Sequence, residues 1–244
     1  NTAALALQGP NSRTILNSIS SKSLDSLKFF WLLKTDLQGI PVTISRTGYT
    51  GDLGYEIWMD SSQSIKLWDI IMEAGKPFGI TPTGLHALDM ARIEAALILL
   101  DVDYISSRHA LIENRKSSPF ELDLDWTVKM KKDHFIGKDS LTNETSSPSN
   151  WTFRGIEIQW EPLEKHYKSI GLAPTLPTTA WRTSTPLYYK KKQVGYATSG
   201  TWSPILKRYI ALAHLQKDYA GIGSYLDFEI KIEHFRHLTP AVVV

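Results

Sequence analysis

Arg46-Thr47-Gly48-Tyr49-Thr50-Gly51-Asp52-Leu53-Gly54-Tyr55-Glu56-Ile57-Trp58-Met59 is the stretch from which the fold is read. Glycines 48, 51 and 54 are spaced three and three and punctuate a loop. Residues 55–59 then alternate: in a strand Tyr55, Ile57 and Met59 face one way, Glu56 and Trp58 the other. The loop feeds a strand and not a helix, so it offers no helix N-terminus to a phosphate. It leaves a carboxylate, Glu56, on the less apolar face.

Upstream, Ala3–Gln8 is an apolar run with strand character, ended by Gly9-Pro10, and Val42 and Ile44 alternate with Thr43 and Ser45. Residues 1 to about 60 therefore read as strand, helix and hairpin. Downstream, Asp60 with Gln63 is close to a capping box, and Gly75 then Pro77 stop the helix. Leu67, Ile70, Ile71 and Ala74 form its apolar stripe. A second helix is predicted from Thr81-Pro82, with proline in the tolerated first turn. Leu85, Leu88, Asp89, Arg92 and Ala96 share one face at helical spacing. An arginine on such a face must meet an anion or reach water.

The rest of the chain changes texture. Residues 143–150 are polar and contain proline, the expected internal boundary, giving domains 1–148 and 151–244. Beyond it, Leu226, Phe228, Ile230 and Ile232 alternate with Asp227, Glu229, Lys231 and Glu233. Short strands also fit 185–189, 193–198 and 210–215, with Lys190-Lys191-Lys192 as an exposed hairpin tip. The fold class is α+β, with a small C-terminal antiparallel β-barrel. Both ends read as cut inside a longer fold.

Composition narrows the chemistry. The 244 residues carry 27 Lys and Arg against 25 Asp and Glu, a formal charge of +2, too even for a nucleic-acid-binding face. There is no cysteine, which excludes thiol catalysis and thiolate-built metal sites from these residues. No apolar stretch approaches the roughly eighteen residues of a membrane span, so a soluble protein with neither membrane nor nucleic-acid partner is expected. No Walker A loop, dinucleotide fingerprint or metalloprotease helix is present. Asp101-Val-Asp103 lacks the rest of a calcium loop and reads as solvated or capping. The histidines, His234 and His237 included, read as surface or packing groups, and no metal site is expected.

Glu56 and Arg92 remain. Glu56 is either a solvent-facing strand residue or a pocket carboxylate; Arg92 is either an ion-pair partner of Asp89 or a second pocket group. Carboxylate and guanidinium each present a planar two-pronged edge suited to flat heterocycles. Tyr49 and Trp126 are candidate aromatic walls.

These residues resemble a known family, the aminomethyltransferases typified by the T-protein of the glycine cleavage system. Arg46–Ile57 is similar to its R-x-G-Y-T-G-E-x-G-x-E segment, and Ala4-Leu-Ala-Leu-Gln-Gly-Pro10 to its A-L-L-A-L-Q-G-P strand. Gly84–Ala95 resembles its G-L-x-A-R-D-x-L-R-L-E-A helix. Ser118–Glu121, Leu124–Val128, Phe135–Lys138, Gly195–Gly200 and Ser203–Lys207 come after it in register. Asp52, Leu88 and Ala96 depart from the pattern, standing where the family has glutamate, arginine and glycine.

The resemblance implies a tetrahydrofolate-dependent one-carbon transferase, its body part of a three-domain cloverleaf. It places Glu56 and Arg92 in the pterin pocket, with Trp126 and Tyr49 beside the folate. The family's catalytic aspartate comes from a segment preceding residue 1, so the catalytic residue is left unassigned. The implied partners are folate, a small one-carbon amine donor and a lipoyl carrier protein. The implied compartment is the cytoplasm, or the mitochondrion in a eukaryote. The alternative is a non-catalytic folate-binding module forming the tail of a dimethylglycine- or sarcosine-type oxidase. The iron–sulfur assembly branch, marked by a cysteine motif absent here, is set aside.

Overall fold

The computed structural model describes residues 1–106, 108–112 and 115–244. They divide into two compact units, Asn1–Leu97 and Ile98–Val244. In the first, β1 (Thr2–Gln8), β2 (Leu32–Leu37), β3 (Ile40–Ser45) and β4 (Gly54–Asp60) form an antiparallel sheet in the order β1-β4-β3-β2. Gln38 and Gly39, both at positive φ (46° and 81°), close the β2–β3 hairpin, the geometry that matches strand twist.

The alternation read from the sequence decides what the sheet buries. Tyr55, Ile57 and Met59 are buried, with Leu7, Val42 and Ile44, beneath α1 (Ser12–Ile19) and α2 (Ser64–Gly75). Ile15, Leu16 and Ile19 of α1 and Leu67 and Ile71 of α2 complete that core. Glu56 and Trp58 lie on the opposite face, in register with Ala6 and Ala4 of β1 and with Ser45 and Thr43 of β3.

Two helix boundaries differ from expectation. Asp60 does act as a cap, accepting from Ser62 N, but it heads a 3-10 turn over Ser61–Gln63, and Gln63 returns no side-chain bond. Helix α3 spans Leu85–Glu94, and Thr81-Pro82 lies outside it. Gly84 is the extended N-cap residue, whose carbonyl accepts the first helical bond from Leu88 N at 3.1 Å. Leu85, in the first turn, is 82% exposed, and the buried residues are Asp89, Arg92 and Ile93. Ala96 lies past the helix end at φ 56°.

In the second unit, α4 (Lys138–Ser146) ends inside the polar stretch 143–150, and β5 (Trp151–Ile158) begins directly after it. With β6 (Thr185–Tyr189), β7 (Lys192–Ser203), β8 (Arg208–Gln216), β9 (Tyr225–Ile232) and β10 (Phe235–Val243), β5 closes a barrel in the order β10-β5-β8-β7-β6-β9. Two-residue turns with both φ positive join β6 to β7 at Lys190-Lys191, the expected tip, and β9 to β10 at Glu233-His234. Helix α5 (Trp160–Ser169) packs over β10. Glycine is required where strands approach: a Cβ at Gly195 would stand 2.3 Å from the His214 carbonyl, and one at Gly200 2.3 Å from the Trp181 ring. Glu229 lies on the polar face of β9 as its alternation predicts, yet only 8% of it is exposed. The Tyr188 hydroxyl donates to it at 3.2 Å and Arg236 stands 3.7 Å away, so neighbours replace water.

Asp103 ties the segment before α4 to the barrel wall. Only 1% exposed, its Oδ1 accepts from Thr198 Oγ1 (2.5 Å) and Ser199 Oγ (2.6 Å), and its Oδ2 from Leu99 N (2.8 Å). Its carbonyl accepts from His214 Nε2 at 2.6 Å. This differs from the solvated or capping role expected: Asp103 is buried and bonds side chains of β7 that lie 95 and 96 residues away in sequence. Among the described residues no group of three or more His, Asp or Glu is placed to hold a metal ion.

Burial holds the His214 pKa below its ordinary value, against the opposing pull of the Asp103 carbonyl. An unfolded chain then binds a proton that the folded chain refuses, so stability falls as pH drops below about 6.5, the ordinary histidine value. The loss levels off below the folded pKa. Urea titrations between pH 7.5 and 5 are expected to show this slope, and His214→Gln is expected to flatten it; an equal slope in the variant would refute the assignment.

Candidate functional site

The glycine loop of the first unit is built around Gln8. A Cβ at Gly48 would stand 2.0 Å from Gln8 Oε1, and one at Gly54 1.8 Å from it, so both positions must lack side chains for the carboxamide to fit. Gln8 Nε2 donates to the Tyr55 carbonyl (3.3 Å), and Thr50 Oγ1 donates to Gln8 Oε1 (3.3 Å). The third glycine, Gly51, sits at φ 76°, and a Cβ there would stand 2.5 Å from that of Ala95. This contact carries the loop onto the end of α3, one turn past Arg92. Residue patterning alone misses Gln8 as a site-building residue; its signal is the glycine pair, which must make room for something.

Glu56 is half-buried on central strand β4. Its Oε2 accepts a short hydrogen bond from Thr47 Oγ1, which lies 2.7 Å from Ser45 Oγ. Among the described residues no cation pairs with it. A carboxylate offers about four lone-pair sites, so the Thr47 bond leaves an edge able to receive a paired donor group.

Arg92 has no exposed surface. Its Nε donates to Asp89 Oδ1 at 2.9 Å and its Nη1 to the Leu97 carbonyl at 3.4 Å. The ion-pair reading is therefore realised, one helical turn apart, and the guanidinium also closes the C-terminal end of α3. Tyr49 is half-buried in the glycine loop. Trp126 belongs to the second unit, 57% exposed on the 3-10 turn Asp125–Thr127. The first unit also holds an apolar cavity of about 320 Å³ under the sheet, lined by Leu5, Leu7, Ile15, Ile71 and Leu88, with Gln8 and Thr50 at its polar side. Glu56, Arg92 and Tyr49 do not line it.

A four-stranded sheet backed by helices, carrying a strand carboxylate above a glycine loop, together with a closed six-stranded barrel, defines a class: a two-unit α+β protein with a T-protein-like architecture. Two family models match it, the GCVT N-terminal domain over residues 1–132 and the glycine cleavage T-protein C-terminal barrel domain over residues 168–244. The chain belongs to the glycine cleavage T-protein, or aminomethyltransferase, family. It is 34% identical over 231 residues to the aminomethyltransferase of Halothermothrix orenii, covering 95% of this chain and 57% of that protein. It is also 34% identical over 229 residues to that of Desulfitobacterium hafniense strain DCB-2, covering 94% and 56%. The crystal structure of aminomethyltransferase T from Bartonella henselae superposes with a TM-score of 0.76 at 20% identity, covering 99% of this chain and 58% of that one. The chain thus spans a little over half the length of the curated relatives it matches. The family's glycine at position 96 has a structural explanation: φ is 56° there, a conformation glycine adopts without strain and Ala96 does not.

Proposed function

We propose that this chain forms the larger part of a tetrahydrofolate-dependent one-carbon transferase, moving an aminomethyl, methylene or methyl group from a small amine donor to the folate. The observation that carries the reading is the Glu56 carboxylate, half-buried on a central strand, bonded to Thr47 and paired with no cation among the described residues. Such a group suits the adjacent amino and amide N–H groups of a pterin, which it can receive as two parallel bonds. Tetrahydrofolate would supply the nitrogen that takes up the one-carbon unit. The chain's own residues bind and orient it: Glu56 grips the pterin edge, Thr47 fixes the carboxylate, and Tyr49 of the same unit gives aromatic contact. Arg92 supports the pocket from α3, held by Asp89. Most of the acceleration in this reading comes from holding acceptor and donor in line.

The domains 1–148 and 151–244 are the proposed division of labour, folate-binding body and barrel. A lipoyl carrier as donor partner and a cytoplasmic setting complete the reading; no described helix is long and apolar enough to cross a membrane. The test is a tetrahydrofolate titration monitored by tryptophan fluorescence. Saturable binding is expected; a folded chain whose fluorescence does not respond at any attainable concentration would overturn the proposal.

A further inference from the structure

The second unit holds a cavity of about 540 Å³ against the outer wall of the barrel, lined by Arg115, Glu121, Ser149, Trp151, Tyr196 and His214, with Lys116 and Ser117 at its margin. Three of its donors make no side-chain hydrogen bond or ion pair among the described residues: the Arg115 guanidinium, the Trp151 indole N–H and the Tyr196 hydroxyl. The lining carboxylate is already committed. Glu121 Oε1 accepts from Ser149 Oγ, and its Oε2 accepts from Ser118 N at 3.3 Å. Glu121 keeps its charge, but Arg115 and Lys116 outnumber it, so the lining is rich in donors and positive on balance.

Its walls are flat and held in place. The Tyr196 ring stacks on His214 at 5.2 Å and 24°, and the Trp151 ring stands 6.1 Å from Tyr196, tilted by 58°. Phe153 meets His214 edge-on at 5.0 Å, and the bond from His214 Nε2 to the Asp103 carbonyl fixes that ring. The barrel thus builds this wall whether or not anything binds there, so little ordering cost falls on association.

We infer that this cavity is a binding site for a small aromatic carboxylate, distinct from the Glu56 site. The carboxylate matches the two-pronged edge of Arg115, with the Tyr196 hydroxyl or the indole N–H as a further donor, and the ring packs against Trp151 and Tyr196. The inference does not depend on the folate reading.

Benzoate is the probe, titrated into the chain while the Trp151 indole N–H resonance is monitored by NMR, with acetate and sulfate as comparisons. A saturating shift is expected, with affinity falling about tenfold in Arg115→Gln, the loss of one charge-assisted contact. A smaller fall is expected in Tyr196→Phe, and weaker binding of acetate and sulfate. Arg115 is exposed, so its variant keeps the fold, which the unmoved remainder of the spectrum verifies. No movement of the Trp151 resonance at tens of millimolar benzoate overturns the site. Unchanged affinity in Arg115→Gln overturns its anchor. Acetate or sulfate binding as tightly as benzoate overturns the aromatic class.

Discussion

Replacing Arg92 by alanine is expected to lower the unfolding free energy by about 3–5 kcal/mol, the scale for breaking a buried ion pair by removing one partner. The side chain has no exposed surface and Asp89 is 7% exposed, so water cannot take over the role of the guanidinium. Truncation takes the Nε donor from Asp89 Oδ1, removes a donor from the Leu97 carbonyl and leaves a cavity under α3. Urea denaturation measures the change directly. A loss below about 1 kcal/mol would mean that the Asp89 carboxylate is satisfied without the guanidinium. The paired replacement Arg92→Met with Asp89→Leu should recover most of the loss, because it removes both charges and keeps volume. The consequence for function is practical: loss of tetrahydrofolate binding in Arg92→Ala cannot separate a missing contact from a loosened helix, whereas the double variant can.

Glu56→Gln is the cleaner probe of the site. The amide keeps shape and still accepts from Thr47, so stability is expected to change little. Tetrahydrofolate affinity is expected to fall by about 1.5–3 kcal/mol, or roughly ten- to 150-fold, the contribution of hydrogen bonds to a charged group. Titrations of parent and variant read the difference. Equal affinities in two folded chains would remove Glu56 from the pterin pocket and leave it as an ordinary strand carboxylate. Because the variant perturbs charge and not packing, this outcome stays distinct from that of Arg92→Ala.

Much of this was legible in the residues. Alternation over 55–59 and 226–232 set which faces are buried, since side-chain direction in a strand has a period of two. The Asp89–Arg92 pair was also legible, because three residues is one helical turn. Where α3 begins was not. Pro82 is tolerated in a first turn, yet the helix starts at Leu85, leaves Leu85 exposed, buries Asp89, Arg92 and Ile93, and ends before Ala96.

By itself the sequence determined the strands and helices of the first unit, the hairpin tip at Lys190-Lys191, the barrel and the candidacy of Glu56, all of which rest on short-range periodicity and turn chemistry; helices α4 and α5 were not read from it. Only the tertiary structure decided that Gln8 fills the space left by Gly48 and Gly54, that Glu229 is sheltered, and that Asp103 reaches Thr198, Ser199 and His214. Those contacts join residues up to 111 apart in the chain. Strand register and loop closure bring such partners together, and neither is encoded in the spacing of neighbouring residues.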